Sequence, residues 1–335
     1  MGKKLISPYV VIFVSPLFIV LTLLLSVMYG AKTIEWETVT ASFFHFDAGN
    51  VDHQVVLNSR LPRAVGSILI GAFLAISGAI MQGMTRNFLA SPSIMGVSDG
   101  AAFVITLMMI LAPNSTSMGL IGSSFVGSAL GVAIVFGLAW MIPGGLAPVR
   151  MAILGTIIGT FLSSLSAVLS IYFNVSQNVS FWFNARLHQM DPGMIQLAIP
   201  FALVAIVGAM LLAKPITLLS LGDDVATGLG QRALPVKLGA MLCVALLTGV
   251  SVALAGKIAF VGLLIPHITR YLIGVDYRWV IPCSGLIGGV FLGMSDVLSR
   301  FLNYPFETPI SVVTSVIGIP FFLYLIRRKG GGEHA

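Results

Sequence analysis

The residues of this chain that could do chemistry are mostly basic, few in number, and set at the ends of long apolar runs. Arg60 and Arg63 flank Leu61-Pro62. Pro62 suits the first turn of a helix, and arginines three positions apart on it can project toward the same side of its mouth. Guanidinium forks bind carboxylates bidentately, so this rim could capture an acidic partner; anchoring of a helix end at an interface explains the spacing equally well. Asp296 and Arg300 stand at i, i+4 in the acid-first order, which reads either as a local ion pair or as leaving Arg300 facing outward as a contact residue. The stretch Leu218 to Gly230 is too short and too punctuated to be a membrane span, and it reads as two short helices joined by a turn. Leu219, Leu221, Val225 and Leu229 give it a small apolar face, suited to docking a protein or to lying on lipid headgroups.

Other chemistries find no support in the residue pattern. His267, in Pro266-His267-Ile268-Thr269-Arg270, has no second ligand at helical spacing, so no metal site or cofactor is expected. There is no GxxxxGK[ST] phosphate loop, so any ATP-driven step needs another subunit. Cys243 and Cys283 lie inside apolar runs and read as small packing residues. The net charge of +6 is dispersed rather than gathered on one face, which argues against nucleic acid as a partner.

The elements that must position these groups are membrane helices. The 335 residues are 57% hydrophobic and 9% charged, against about 25% charged in soluble domains. No Asp, Glu, Lys or Arg occurs from Gly100 to Val149. A charge at mid-bilayer costs about 2.5–3.5 kcal/mol on insertion scales, so such runs mark the hydrocarbon core. Uncharged runs near 8–30, 62–84, 94–111, 119–141, 150–173, 193–213, 236–255, 261–273, 279–299 and 308–326 give about ten crossings, the eighth of them short. The uncharged stretch after Lys4 is too long for a cleaved signal and reads as the first span. Starting in the cytoplasm leaves Lys32, Arg60, Arg63, Arg186, Lys257 and Arg300 outside and the other twelve of 18 basic residues inside, with both termini cytoplasmic. Small-xxx-small spacings (Ser67 to Gly71, Gly127 to Gly131, Gly155 to Gly159, Gly289 to Gly293) point to close packing within the bundle. Ionisable residues look nearly absent from deep positions, with Asp99 just inside the third span.

Taken together, five motifs in order resemble the FecCD-like permease subunits of binding-protein-dependent ABC importers for iron-siderophores, haem and cobalamin. They are Arg60-Leu61-Pro62-Arg63; Gly78 to Gly83 leading to Arg86-Asn87 and Leu89-Ala90; the Leu221-Gly222-Asp223 loop; Gly262-Leu263 with Pro266-His267 and Arg270; and Pro305 to Pro309 with Gly318-Ile319-Pro320-Phe321-Phe322. The resemblance implies an all-α, polytopic subunit of ten helices, one transmembrane domain over 1–335, in a bacterial cell membrane. It implies three partners: an ATP-binding subunit, an extracytoplasmic binding protein, and a second permease subunit, identical or paralogous. Arg60, Arg63 and Arg300 match arginines that receive glutamates of the binding protein. Leu221, Gly222, Asp223, Ala226, Leu229 and Gly230 fall in the coupling helices, 218–230, that seat in the ATPase. Asn87 and Leu89, with Pro148 and Val149, match the cytoplasmic gate.

Two departures from the family pattern stand out: Phe88 where Pro usually follows the Asn, and Asn184-Ala185-Arg186 where Gly-Ser and a large apolar residue are usual. Arg186 reads as adapting the outer mouth to an anionic cargo or a different binding protein. The expected function is a non-enzymatic permease that translocates an iron-siderophore complex through an apolar path with scattered polar groups, selectivity residing mainly in the binding protein. Cobalamin or haem as cargo, and an ion-coupled secondary carrier as a different class, are the alternatives.

Overall fold

A computed structural model describes residues 5–30, 32–92, 96–142, 148–184, 187–190, 192–304 and 306–330. The helices are α1 (Pro8–Met28), α2 (Trp36–Phe44), α3 (Val51–Val55), α4 (Leu61–Thr85), α5 (Val97–Leu111), α6 (Ser117–Met141), α7 (Pro148–Tyr172), α8 (Ser176–Asn184), α9 (Pro192–Leu211), α10 (Ala213–Leu219), α11 (Asp223–Gly228), α12 (Ala233–Ala255), α13 (Val261–Ile273), α14 (Tyr277–Ser299) and α15 (Ile310–Gly330). A π-helical turn, Val56–Arg60, joins α3 to α4 and ends on the first arginine of the rim. Seven helices among the described residues are long and apolar enough to cross a bilayer, and three shorter apolar ones (Val97–Leu111, Val261–Ile273, Ile310–Tyr324) complete ten. The 21 residues of α1 reach about 30 Å, a full hydrocarbon core.

Local chemistry sets the ends. Pro8 opens α1, Thr116 Oγ1 accepts the Gly119 N–H at the start of α6, and Asp276 accepts the Arg278 N–H at the start of α14. Glycines at Gly256 and Gly274, both with positive φ, follow α12 and α13. The short helices α2, α3 and α8 are not legible as spans because they lie between crossings and mix polar with aromatic residues.

The bundle is built around α4. Its most apolar window is 78% buried, as is that of α12, whereas that of α7 is only 22% buried. Two glycine contacts let α4 sit at the centre. A Cβ at Gly71 would overlap the Gly288 carbonyl of α14, and one at Gly78 would overlap the Gly262 carbonyl of α13. The other small-residue spacings are likewise used inside the chain, with Gly127 and Gly131 of α6 against Gly100 and Gly96. The loops gather at two ends. One holds residues 86–90, α10, α11 and the α13–α14 turn, and Leu5 and Ile6 donate to the Leu272 carbonyl there at 3.0 Å. The other holds α2, α3, α8 and residues 299–304 and 306–309.

The two glycine contacts make a graded test. Gly78→Leu is expected to lower the unfolding temperature of the detergent-solubilised chain sharply or abolish folded yield, because backbone stands where the side chain must go. Gly137→Ala, with open space around its Cβ, is expected to leave the unfolding temperature unchanged.

Candidate functional site

At the Arg60 end the three arginines do not project from the mouth as the spacing suggested; they turn inward, 5–8% exposed. Asp296, fully buried on α14, is the hub: Arg63 Nε and Nη2 donate to its Oδ1 at 3.0 and 2.9 Å, and Arg300 Nη2 donates to Oδ2. Arg63 Nη1 also holds both oxygens of Glu307 at 2.8 Å, and Glu307 is 40% exposed. Arg300 Nη1 donates to the Ser26 and Tyr29 carbonyls at 2.7 and 3.0 Å, and Arg60 Nη1 to those of Val27 and Met28 at 2.8 and 2.9 Å. Arg60 also donates to the Lys32 carbonyl. The last turn of a helix leaves carbonyls without partners, and here the two arginines supply them for α1. Burial, with Arg63 nearby, holds Arg300 below the ordinary guanidinium pKa although Asp296 opposes the shift. The Asp296–Arg300 pair is the i, i+4 pairing that the spacing allowed. Arg186, Ala185 and Pro305 lie outside the described residues.

At the opposite end α10 begins earlier than the sequence suggested, and the two short helices are separated by Ser220 to Gly222. Leu221, Val225 and Leu229 are exposed at 60%, 47% and 63%, while Leu219 and Ala226 are fully buried. Ala226 therefore anchors α11 to the bundle rather than facing a partner. Asp223 pairs with Lys237 of α12 at 2.6 Å, which ties the loop to a spanning helix. Asp276 accepts from Arg278 and from Thr217 of α10, and the Arg278 donors hold its carboxyl below the usual carboxylate range. Gly222 and Gly230 take φ of 131° and 82°, backbone that a side chain strains.

Gly222 also lies beside Arg86: a Cβ built there would meet Arg86 Nη1 at 3.5 Å. Arg86 opens a turn in which Asn87 Oδ1 accepts the Leu89 N–H at 2.9 Å and the Asn87 carbonyl accepts from Ala90; the family resemblance assigns this turn to a gate. Phe88 and Leu89 are exposed and Ala90 is buried. Phe88, the residue standing where Pro is usual, lies 4.6 Å under the Arg270 guanidinium and edge-on to His267, whose ring meets Phe321 of α15. Arg270 Nη2 donates to Gln82 Oε1 at 2.5 Å, and Gln82 Nε2 in turn reaches the Gly262 and Leu263 carbonyls. Gln82 and Arg270 were visible only as motif letters; their pairing links positions 188 residues apart and leaves no periodic signal. Pro148 and Val149 open α7, and their side chains lie outside the described set.

Seven long and three shorter apolar helices among the described residues, a buried charge knot at one end and a jointed, partly exposed loop beside the Arg86–Ala90 turn at the other fit a polytopic membrane permease of the helical type. The FecCD transport family profile matches residues 18–328, and the chain belongs to that family. It is 59% identical over 325 residues, 97% of each chain, to the iron-uptake system permease protein FeuB of Bacillus subtilis (strain 168). It is 47% identical to the iron(3+)-hydroxamate import system permease protein FhuB of the same organism, over 92% of this chain and 80% of that one. A solved inward-facing conformation of a metal-chelate type ABC transporter superposes with a TM-score of 0.82 at 27% identity, covering 96% and 99% of the two chains.

Asp296 and Glu307 separate by burial. Asp296→Asn leaves two buried guanidiniums short of a countercharge, and about 3–5 kcal/mol of destabilisation is expected. Glu307→Gln, at a partly exposed pair, is expected to cost under about 1 kcal/mol. Chemical or thermal unfolding of the two variants in detergent checks the ranking.

Proposed function

We propose that this chain is the permease subunit of an importer that takes a ferric chelate from an extracytoplasmic binding protein and is driven by a separate ATP-binding subunit. The cargo class follows the names of the relatives, which are iron-uptake and iron-hydroxamate permeases. A second permease subunit, a copy or a paralogue, completes the path. The Arg86 end faces the cytoplasm in this reading, in keeping with the excess of Lys and Arg on its loops.

The observation that carries the reading is the loop from Leu221 to Gly230. Three large apolar side chains are exposed on and around a short helix, Val225 on α11 itself and Leu221 and Leu229 just before and after it, and the helix is anchored by Ala226 and Asp223 beside Arg86. A partner that grips Leu221, Val225 and Leu229 can shift α11, and through Gly222 and Arg86 the shift reaches Asn87 to Leu89. Pro148 and Val149, at the start of α7, belong to the same gate in this reading. At the other end the binding protein docks over Arg60, Arg63 and Arg300. Because all three are buried and engaged, an incoming carboxylate reaches Arg63 by taking the place of Glu307, the one partly exposed member of the knot.

Val225→Asp with Leu229→Asp places two charges on the exposed face without touching Ala226. The variant is expected to fold with an unchanged unfolding temperature and to hold the ATP-binding subunit at least about tenfold more weakly in co-purification. Undiminished co-purification with full transport would refute the coupling role.

A further inference from the structure

Lys257 stands in the non-helical segment between α12 and α13, a loop as the sequence pattern suggests, but its side chain is committed to a distant partner. Lys257 Nζ donates to Asp99 Oδ1 at 2.7 Å, joining positions 158 residues apart. Asp99 sits deep by two independent markers. The next residue, Gly100, packs on Gly127 and Gly131, midway along the 25-residue α6. The other carboxylate oxygen, Oδ2, lies where a Cβ at Gly159, midway along the 25-residue α7, would meet it at 2.6 Å. Both markers are roughly 15–20 Å from either end of their helices. The pair is not sealed in the packing, since the Lys257 and Asp99 side chains are 40% and 22% exposed.

Beside Asp99 lies a cleft of about 540 Å³, in the size range of small-molecule sites. Its wall is the hydroxyl face of α7: Thr156, Thr160, Ser163 and Ser164, with the small residues Gly155 and Gly159 between them. The next face of the same helix presents Ile153, Ile157, Phe161 and Val168, all exposed, as a lipid-facing surface does. So the least buried of the long helices has one apolar and one hydroxyl-bearing exposed face, and an ion pair adjoins the second. Ionisable groups at this depth are costly in lipid and are kept where they face a polar cavity. The backbone that carries Lys257 points the same way. It leaves helical form between Gly256 and Phe260, with φ of 73° and 67°, and a bulky residue such as Phe260 adopts that region only when its surroundings enforce it. Non-helical backbone within the hydrocarbon depth is tolerated where it is buried in protein or lines a water-filled space.

We propose that Asp99, Lys257 and the hydroxyl face of α7 form a halfway binding site for an oxygen-rich, anionic metal chelate. The Lys257 ammonium keeps one N–H on Asp99, so that the carboxylate stays paired, and turns another toward the negative oxygens of the chelate, while Thr160, Ser163 and Ser164 donate hydrogen bonds to it. The proposal rests on the importer reading above and adds to it a point of contact inside the membrane.

The test uses the complete importer in lipid nanodiscs, with single cysteines at Thr160→Cys, Ser164→Cys and, on the apolar face, Ile157→Cys. Cys243 and Cys283 are buried and serve as the blank. The probes are two water-soluble thiol reagents, an anionic sulfonatoethyl and a cationic trimethylammonioethyl methanethiosulfonate. Positions 160 and 164 are expected to react and position 157 to stay silent. Asp99→Asn, which bares the ammonium, is expected to raise the anionic-to-cationic rate ratio at position 160 roughly tenfold, and Lys257→Gln to lower it by a similar factor. Silence at both 160 and 164, in a complex that still holds its ATP-binding subunit, would mean that lipid or the second permease covers this face, and would overturn the proposal. A rate ratio unmoved by either variant would overturn it as well. A wild-type chain that holds no ATP-binding subunit would instead refute the importer reading, and this inference with it.

Discussion

A charge carried into a bilayer must bring its partner along, and that requirement organises the whole molecule. Among the described residues, the strongest instance is Asp296, fully buried and shared by Arg63 and Arg300. Arg300, with Arg60, also bonds the last carbonyls of α1. One cluster therefore pairs Arg63 and Arg300 with Asp296, satisfies a helix end and clamps α1, α4 and α14 together near the turn to α15. The π-helical turn that ends on Arg60 belongs to this clamp, since it sets the angle at which the α3 segment feeds into α4.

The two ends differ in how firmly they are made. At the Arg60 end the interactions are multiple, buried and long-range in sequence. At the Arg86 end the contacts run in series: Gly222 beside Arg86, Phe88 under Arg270, His267 between Phe88 and Phe321, and Gln82 bridging Arg270 to the start of α13. A series of single contacts transmits displacement and has few bonds to break, which suits a gate. A clamp resists displacement, which suits a platform for another protein. Between them, Asp99 and Lys257 pair beside the hydroxyl face of α7.

The helices were readable because charge is so costly in lipid that uncharged runs betray the spans within a few residues. The first span, for example, was read at 8–30 and is found at 8–28. The short helices between spans were not readable: Trp36–Phe44 is interrupted by Glu37, and Ser176–Asn184 lies in the same uncharged run as most of α7, from Met151 to Ala185, with no charge to mark where one ends and the other begins. The i, i+4 pair Asp296–Arg300 could be named from spacing, but its bond to Arg63 crosses 233 residues and needed the fold. The pairing of Lys257 with Asp99 was hidden for a related reason. A lone lysine between two apolar runs looks like a loop residue, and only the short α13 and the half-depth start of α5 bring it to Asp99. The hydroxyls at 156, 160, 163 and 164 did carry a helical period in the sequence, which went unread among the many serines and threonines of the chain.

In the proposed reading the power stroke and the delivery of cargo both come from other proteins. The most direct measurement is iron uptake into sealed proteoliposomes containing the permease pair, with the ATP-binding subunit and the binding protein each added or withheld. Uptake that needs both added proteins and ATP inside the compartment corresponding to the Arg86 end is the expected result. Uptake by this chain alone under an ion gradient would contradict the account.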